Sequence, residues 1–234
     1  DGSVNCRNGL YRAPLGTPHL SKSLNAAGYT WKQYNGDPPG NGTICPNVNR
    51  HADTYSADHA PNLYFDDVTG SDPLLLTLQP GSPLLAYCRA HLRHLAELAA
   101  DLQNGRESNY NFIIPTDQDQ GEKCPCGPGG RLGNADAFMQ QFIPEIMSNS
   151  PAWARGTAVI FIAWDEPDTS NNTDPSGLIA ISPYVKNGYL SQTKFPNGHA
   201  SLVKTILEIF GLPLIGKTTD AANPDLSQFF TLFP

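Results

Sequence analysis

Apolar residues fall along this chain in short continuous runs, separated by longer stretches with helical spacing. Between His19 and Tyr34, Leu20 and Leu24 share a helical face, Gly28 suits the left-handed position after a helix, and a strand follows. The Leu84 to Leu102 stretch gives the strongest helical pattern: Leu92, Leu95, Leu98 and Leu102 recur on one face, with Gly105 as a stop. Asn109 to Thr116 reads as a buried strand ended by Pro115, and Asn62 to Val68 as a short extended piece. Ala135 to Asn149 is an amphipathic helix, kinked or broken at Pro144. Gly156 to Trp164 and Ser176 to Val185 are strands, and His199 to Gly211 is a closing helix. Asp37 to Asn49 and Cys124 to Gly130 are turn-rich loops.

Continuous apolar strands alternating with amphipathic helices predict an α/β fold whose mainly parallel sheet is covered on both faces. In such sheets ligands bind beyond the carboxyl ends of the strands. The 234 residues, free of internal repeats, suit one large domain or two small ones.

Composition narrows the class. A net charge of −7 with no Lys/Arg cluster excludes nucleic acid as the main partner. Apolar runs fall well short of the roughly 20 residues that span a bilayer. The polar opening at Asp1 predicts a processed or truncated product. Five cysteines and two sequons, at Asn41 and Asn171, predict a secreted glycoprotein with disulfides and one thiol left over. The spacing of Cys124 and Cys126 is too short for an ordinary zinc knuckle.

Charge is scarce, so its placement is informative. Asp165 and Glu166 stand side by side where an apolar strand ends, and adjacent carboxylates repel unless a cation lies between them. If Pro167 turns the backbone, both reach one divalent ion; otherwise one caps a turn and the other faces water. Asp117 and Asp119 form a second pair after another strand; Asp66 and Asp67 read as a turn. His91 and His94, three apart, belong to the polar face of the long helix. His59 precedes Ala-Pro in a loop, and His199 opens the last helix, where an imidazole can meet an anion or a metal. No nucleophile elbow, P-loop or dinucleotide fingerprint is present.

Three blocks, "GTAVIFIAWDE", "GLIAISPYVKNGY" and "NGHASLVKTILEIFGLPLIG", resemble in order and spacing the carboxyl-terminal half of the phosphoesterase family, which includes bacterial phospholipases C and acid phosphatases. Upstream, "LSKSLNAAGYTWKQY", "YSADHAPNLYFDDV" and "HLAELAADLQNGRESNYNFIIPT" resemble further segments, so the likeness covers nearly the whole chain. The resemblance implies a three-layer α/β sandwich like alkaline phosphatase. It also implies that residues 1–234 form one domain, the carboxyl-terminal part of a longer family domain without its amino-terminal segment. It implies hydrolysis of a phosphoric ester, of phosphatase or phospholipase C type, at a metal-assisted site.

On matching positions, Asp165 and Glu166 become metal ligands for zinc, calcium or magnesium, and His59 and His199 become catalytic. The family's Asp-x-His falls around Asp117 to Glu122, which makes Asp119 the third catalytic candidate. The substrate becomes a small phosphate ester or a phospholipid head group. The chain departs from the family where "DQDQGEK" has no histidine, where "PDTSNNTDPSG" replaces a Gly-Gly segment, and where no nucleophile segment precedes Leu20. These departures support a second reading: a non-catalytic secreted relative that binds an anionic or sugar ligand.

Overall fold

A computed structural model describes residues 13–38, 45, 54–70, 81–121, 128–165, 177–192 and 198–233. The helices are α1 (Leu20–Ala26), α2 (Asp66–Thr69), α3 (Pro83–His91), α4 (Leu98–Gln103), α5 (Gly130–Asn149), α6 (Pro151–Ala154) and α7 (Gly198–Ile209). The strands are β1 (Trp31–Asn35), β2 (Leu92–His94), β3 (Tyr110–Ile114), β4 (Ile160–Ala163) and β5 (Leu178–Ile181). The chain divides into two units, one of residues 1–17 and 29–151, the other of 18–28 and 152–234. The Asn41 and Asn171 sequons, Cys124, Cys126 and Glu166 lie outside the described residues.

The first unit is built on a parallel sheet in the order β2-β1-β3. Side chains alternate across β1, so Trp31, Gln33 and Asn35 face one way and Lys32 and Tyr34 the other. Both faces are covered. On the first, the His91 ring of α3 lies 4.4 Å from Trp31 and 4.1 Å from Tyr87. On the second, Tyr34 packs with Leu98 and Leu102 of α4, and Phe142 and Ile146 of α5 pack against them. This helix–sheet–helix arrangement is the α/β sandwich expected. A disulfide joins the buried Cys45 and Cys88 of α3.

The Tyr34 face also carries a charge cluster. Lys32 Nζ and the Tyr34 hydroxyl donate to Asp101 Oδ2 at 2.5 and 2.7 Å, and Arg106 Nε donates to Oδ1 at 3.1 Å. Burial opposes ionisation of Asp101, yet these three hydrogen bonds outweigh it and hold the carboxyl below its ordinary value. Burial, reinforced by the Asp101 hydrogen bond, raises the Tyr34 phenol.

Three local expectations are corrected. The single helix over Leu84 to Leu102 is interrupted: α3 ends at His91, the chain runs as β2, and a 3-10 turn at Leu95–Glu97 leads into α4. Leu92 is fully buried as a strand residue paired with Gln33, so its apolar demand is met without a helix. His94 ends the strand. Its Nδ1 accepts from the Ala96 amide at 3.1 Å, while Glu97 reaches back to the His94 amide and pairs with Arg93. His91 and His94 therefore do not share a polar helix face. His91 is stacked on Trp31, and burial pushes its imidazole down. Next, Asn62 to Val68 is not extended; a 3-10 turn at Pro61–Tyr64 leads into α2, and the Thr69 hydroxyl donates to Leu63 O at 2.8 Å. Last, of the two alternatives at Pro144, a kink or a break, the break does not occur: α5 runs on through it, forgoing the amide that would reach Gln140.

In the second unit β4 and β5 pair antiparallel, Ile160 opposite Ile181 and Ala163 opposite Leu178, unlike the parallel three-stranded sheet. The intervening "WDEPDTSNNTDPSG" carries no apolar helical stripe of the kind a parallel crossover needs. Along α7, Ser201, Thr205, Ile206 and Leu207 are buried; the Thr205 hydroxyl donates to Ser201 O and accepts from Leu226 N, each at 2.8 Å. Gly28 after α1 and Gly211 after α7 take positive φ, +80° and +63°, as terminators.

The Asp101 cluster predicts a pH-dependent contribution to stability. A depressed carboxyl stabilises the fold above its unfolded pKa of roughly 3.9, and the contribution fades as pH falls through the lower folded value. Asp101→Asn is expected to lower stability by about 1–3 kcal/mol at pH 7, with the difference from wild type shrinking below about pH 4, in denaturant titrations at several pH values. A difference that is constant with pH would contradict this assignment.

Candidate functional site

Strands β1 and β3 end level with each other, Asn35 opposite Ile114. Their continuations, Gly36-Asp37 and Pro115-Thr116-Asp117, therefore leave the sheet side by side, with Gly36 N donating to Ile114 O at 2.8 Å. The approach is close enough to exclude a side chain: a Cβ on Gly36 would stand 2.5 Å from Thr116 N and 2.8 Å from the Pro115 carbonyl carbon. Asp37 follows in the left-handed region, φ +39°, and its Oδ2 accepts from Thr54 Oγ1 at 2.6 Å.

A buried chain of amides supports this edge. Gln33 Oε1 accepts from the Asn62 backbone N–H at 3.2 Å and from Asn62 Nδ2 at 2.8 Å. A backbone donor cannot be flipped, so Gln33 Nε2 is the donor toward Asn35 Oδ1, at 2.8 Å. That fixes Asn35 Nδ2 as a buried donor without a partner among the described residues. The network ties β1 to the segment that carries Ser56 and His59.

Asp117 is the centre of the site and is almost fully buried. Its amide donates to Thr54 O at 3.0 Å, and its Oδ2 accepts from Ser56 Oγ at 2.9 Å. Its Oδ1 lies 3.3 Å from His59 Nδ1. The Gln120 amide nitrogen is 3.1 Å from the same ring nitrogen and 3.4 Å from Asp117 Oδ1. A buried carboxylate beside an imidazole holds the ring orientation and stabilises positive charge developing on it, the arrangement of a general acid–base pair.

The remaining candidates stand as follows. Asp119 is engaged locally: its Oδ2 accepts from Thr116 Oγ1 at 2.7 Å, and its amide donates to the same oxygen at 3.1 Å, closing a turn. In the second unit Asp165 follows β4, and its backbone carbonyl lies 2.7 Å from His199 Nε2, in the first turn of α7. A carbonyl only accepts, so this contact puts the proton on Nε2. No group of three or more His, Cys, Asp or Glu side chains among the described residues can hold a metal ion. Asp165, expected as a metal ligand, and His199, expected as catalytic, thus meet through a backbone carbonyl. Sequence reasoning passed over Ser56 and Gln120, and it noticed Asp117 only as half of an acidic pair. The available signal was Thr-Asp directly after the Pro that ends an apolar strand.

A family model, the phosphoesterase family, matches residues 3–213, and the chain belongs to that family. Among characterised proteins it is 25% identical over 214 residues to a phosphatidylinositol-3-phosphatase of Mycobacterium tuberculosis. The match covers 87% of this chain and 56% of the relative, so the chain spans little more than half of that protein's length. No helix among the described residues is long and apolar enough to cross a membrane.

The Gly36 contact predicts intolerance of even one methyl group. Gly36→Ala forces the β1 and β3 continuations apart and is expected to cost about 1–3 kcal/mol in denaturant unfolding. An unchanged unfolding midpoint would show that the two backbones separate freely.

Proposed function

We propose that the protein hydrolyses a phosphoric ester and that His59, held by Asp117, is its proton-transfer group. The reading rests on one observation: in a chain of the phosphoesterase family, a buried carboxylate grips an imidazole beyond the carboxyl ends of two parallel strands. In hydrolysis the P–O bond breaks, water oxygen ends on phosphorus, and the ester oxygen departs with a proton. Asp117 faces Nδ1, so Nε2 is the nitrogen that delivers that proton to the leaving oxygen. Asp117 stabilises the imidazolium before transfer, and Ser56 and the Thr54 carbonyl keep Asp117 in place.

His199 and Asp165 are a second set, with Glu166 beside them in sequence. The resemblance gives Asp165 and Glu166 as ligands of a divalent cation, zinc, calcium or magnesium, whose chemistry would be neutralisation of phosphate charge. The described residues do not complete a metal centre, so no step is assigned to one. The Cys45–Cys88 disulfide supports an oxidising, extracellular location. The phosphatase-named relative supports a phosphate monoester, with a phospholipid head group as the other substrate of the same chemistry.

Release of nitrophenol from 4-nitrophenyl phosphate by the full native protein tests the proposal. His59→Ala is expected to lower kcat by about 10²–10⁴ and Asp117→Asn by at least about 10², with KM little changed. Absence of turnover by wild-type protein, with or without added zinc, calcium or magnesium, would sink the enzyme reading. Binding of phosphate without turnover would instead support a non-catalytic relative.

Dialysis against a chelator addresses the metal separately. Loss of activity restored by one of the three ions is the expected result; activity indifferent to chelation removes the cation from the mechanism.

A further inference from the structure

A cavity of about 420 Å³ opens in the first unit at the same end of the sheet. Its apolar wall is made by Leu95, Leu98 and Leu102 on one side and by Phe138, Phe142 and Ile146 of α5 on the other. The α5 residues recur every four positions, so they form one stripe along that helix. Phe142 and Ile146 continue into the Tyr34 core, whereas Phe138 lies a turn beyond and stacks on Phe142 with ring centroids 4.7 Å apart. The volume falls in the range of small-molecule sites and is far too small for a docked helix.

Three further lining residues, Gly36, Asp37 and Thr116, belong to the edge that carries the phosphoesterase site. Asp37 is hydrogen-bonded to Thr54, whose carbonyl accepts from Asp117, and Thr116 immediately precedes Asp117. The cavity and the His59–Asp117 pair are thus joined through single hydrogen bonds and one peptide link. The remaining polar groups decide which part of an ester enters. Glu145 lines the cavity with a carboxylate that makes no hydrogen bond or ion pair among the described residues, and Asp37 adds a second. The Glu145 carboxylate repels a phosphate dianion. His94 accepts at Nδ1 from Ala96 N, so in its neutral form it presents Nε2–H as a donor.

We infer that this cavity receives the uncharged alcohol part of the substrate, an aryl or branched alkyl group, while the phosphate stays at the sheet edge. The inference rests on the phosphoesterase reading and deepens it: the preferred substrate is an ester of an apolar alcohol rather than of a sugar or glycerol. Apolar contact with Phe138 and the leucines supplies the binding, and His94 and Glu145 orient any hydroxyl the group carries.

The test compares 2-naphthyl phosphate with glycerol 2-phosphate on the full native protein. Wild type is expected to show a KM about tenfold or more lower for the naphthyl ester, from the apolar area it buries. Phe138→Ala, which opens the cavity mouth, and Ala99→Leu, which fills it, should each raise the naphthyl KM about tenfold, with kcat and the glycerol KM unchanged. Thermal melts of both variants identify misfolding, and Ala99→Leu removes no packing contact. Equal KM values for the two esters in wild type, or variants that shift both esters alike, would overturn the inference. If wild type turns over neither ester, the enzyme reading fails by itself. Fluorescence titration with 2-naphthyl phosphate then decides the cavity: binding that both variants weaken sustains it, and no binding, or unaltered binding, refutes it.

Discussion

Everything at this end of the molecule follows from the parallel ladder that sets Asn35 level with Ile114. Because the two strands stop together, two connections emerge in backbone contact, and only glycine fits at position 36. The contact places Asp37 and Thr116 beside each other and presents Asp117 to the segment that carries Ser56 and His59. Packing of neutral backbone, rather than attraction between charges, thus determines where the charged groups stand.

The chain uses charge sparingly and surrounds what it buries. Asp101 accepts three hydrogen bonds, two of them from cations; it is an acid committed to structure. Asp117 is buried more deeply: its carboxylate accepts from the Ser56 hydroxyl and lies beside the His59 imidazole, while its own amide donates to the Thr54 carbonyl. The neighbours differ in kind: Asp101 is held by Lys32, Tyr34 and Arg106, whereas Asp117 faces an imidazole, a ring that gains and loses protons near neutral pH.

Much of the architecture was legible. Gly28, Pro115 and Gly211 punctuate the chain where helix or strand ends, because each enforces a conformation that few other residues accept. The strand expected after Gly28 is β1, apolar runs marked β3, β4 and β5, and spacing marked α1, α5 and α7. The Leu84 to Leu102 stretch misled because four leucines fit a helical stripe and a strand flanked by two helical pieces equally well. Only the pairing of Leu92 with Gln33 distinguishes them, and that is a contact across 59 positions of sequence. The site was half legible for the same reason. His59 was found from its loop and its resemblance, but its partner is Asp117, a long-range choice that the adjacent Asp119 equally suggests from sequence alone. Local turn chemistry with Thr116 separates the two aspartates, and it becomes visible only when the backbone is folded.

The two candidate histidines are held by different chemistry. His59 Nδ1 faces the buried Asp117 carboxylate, the contact on which the proposed proton transfer rests. His199 Nε2 donates to the Asp165 carbonyl, a neutral acceptor that fixes the tautomer and leaves a lone pair on Nδ1. A ring locked that way is suited to accept a hydrogen bond or to bind a cation rather than to deliver a proton. What each imidazole touches, a buried acid for His59 and a strand-end carbonyl for His199, is thus what distinguishes the two chemically.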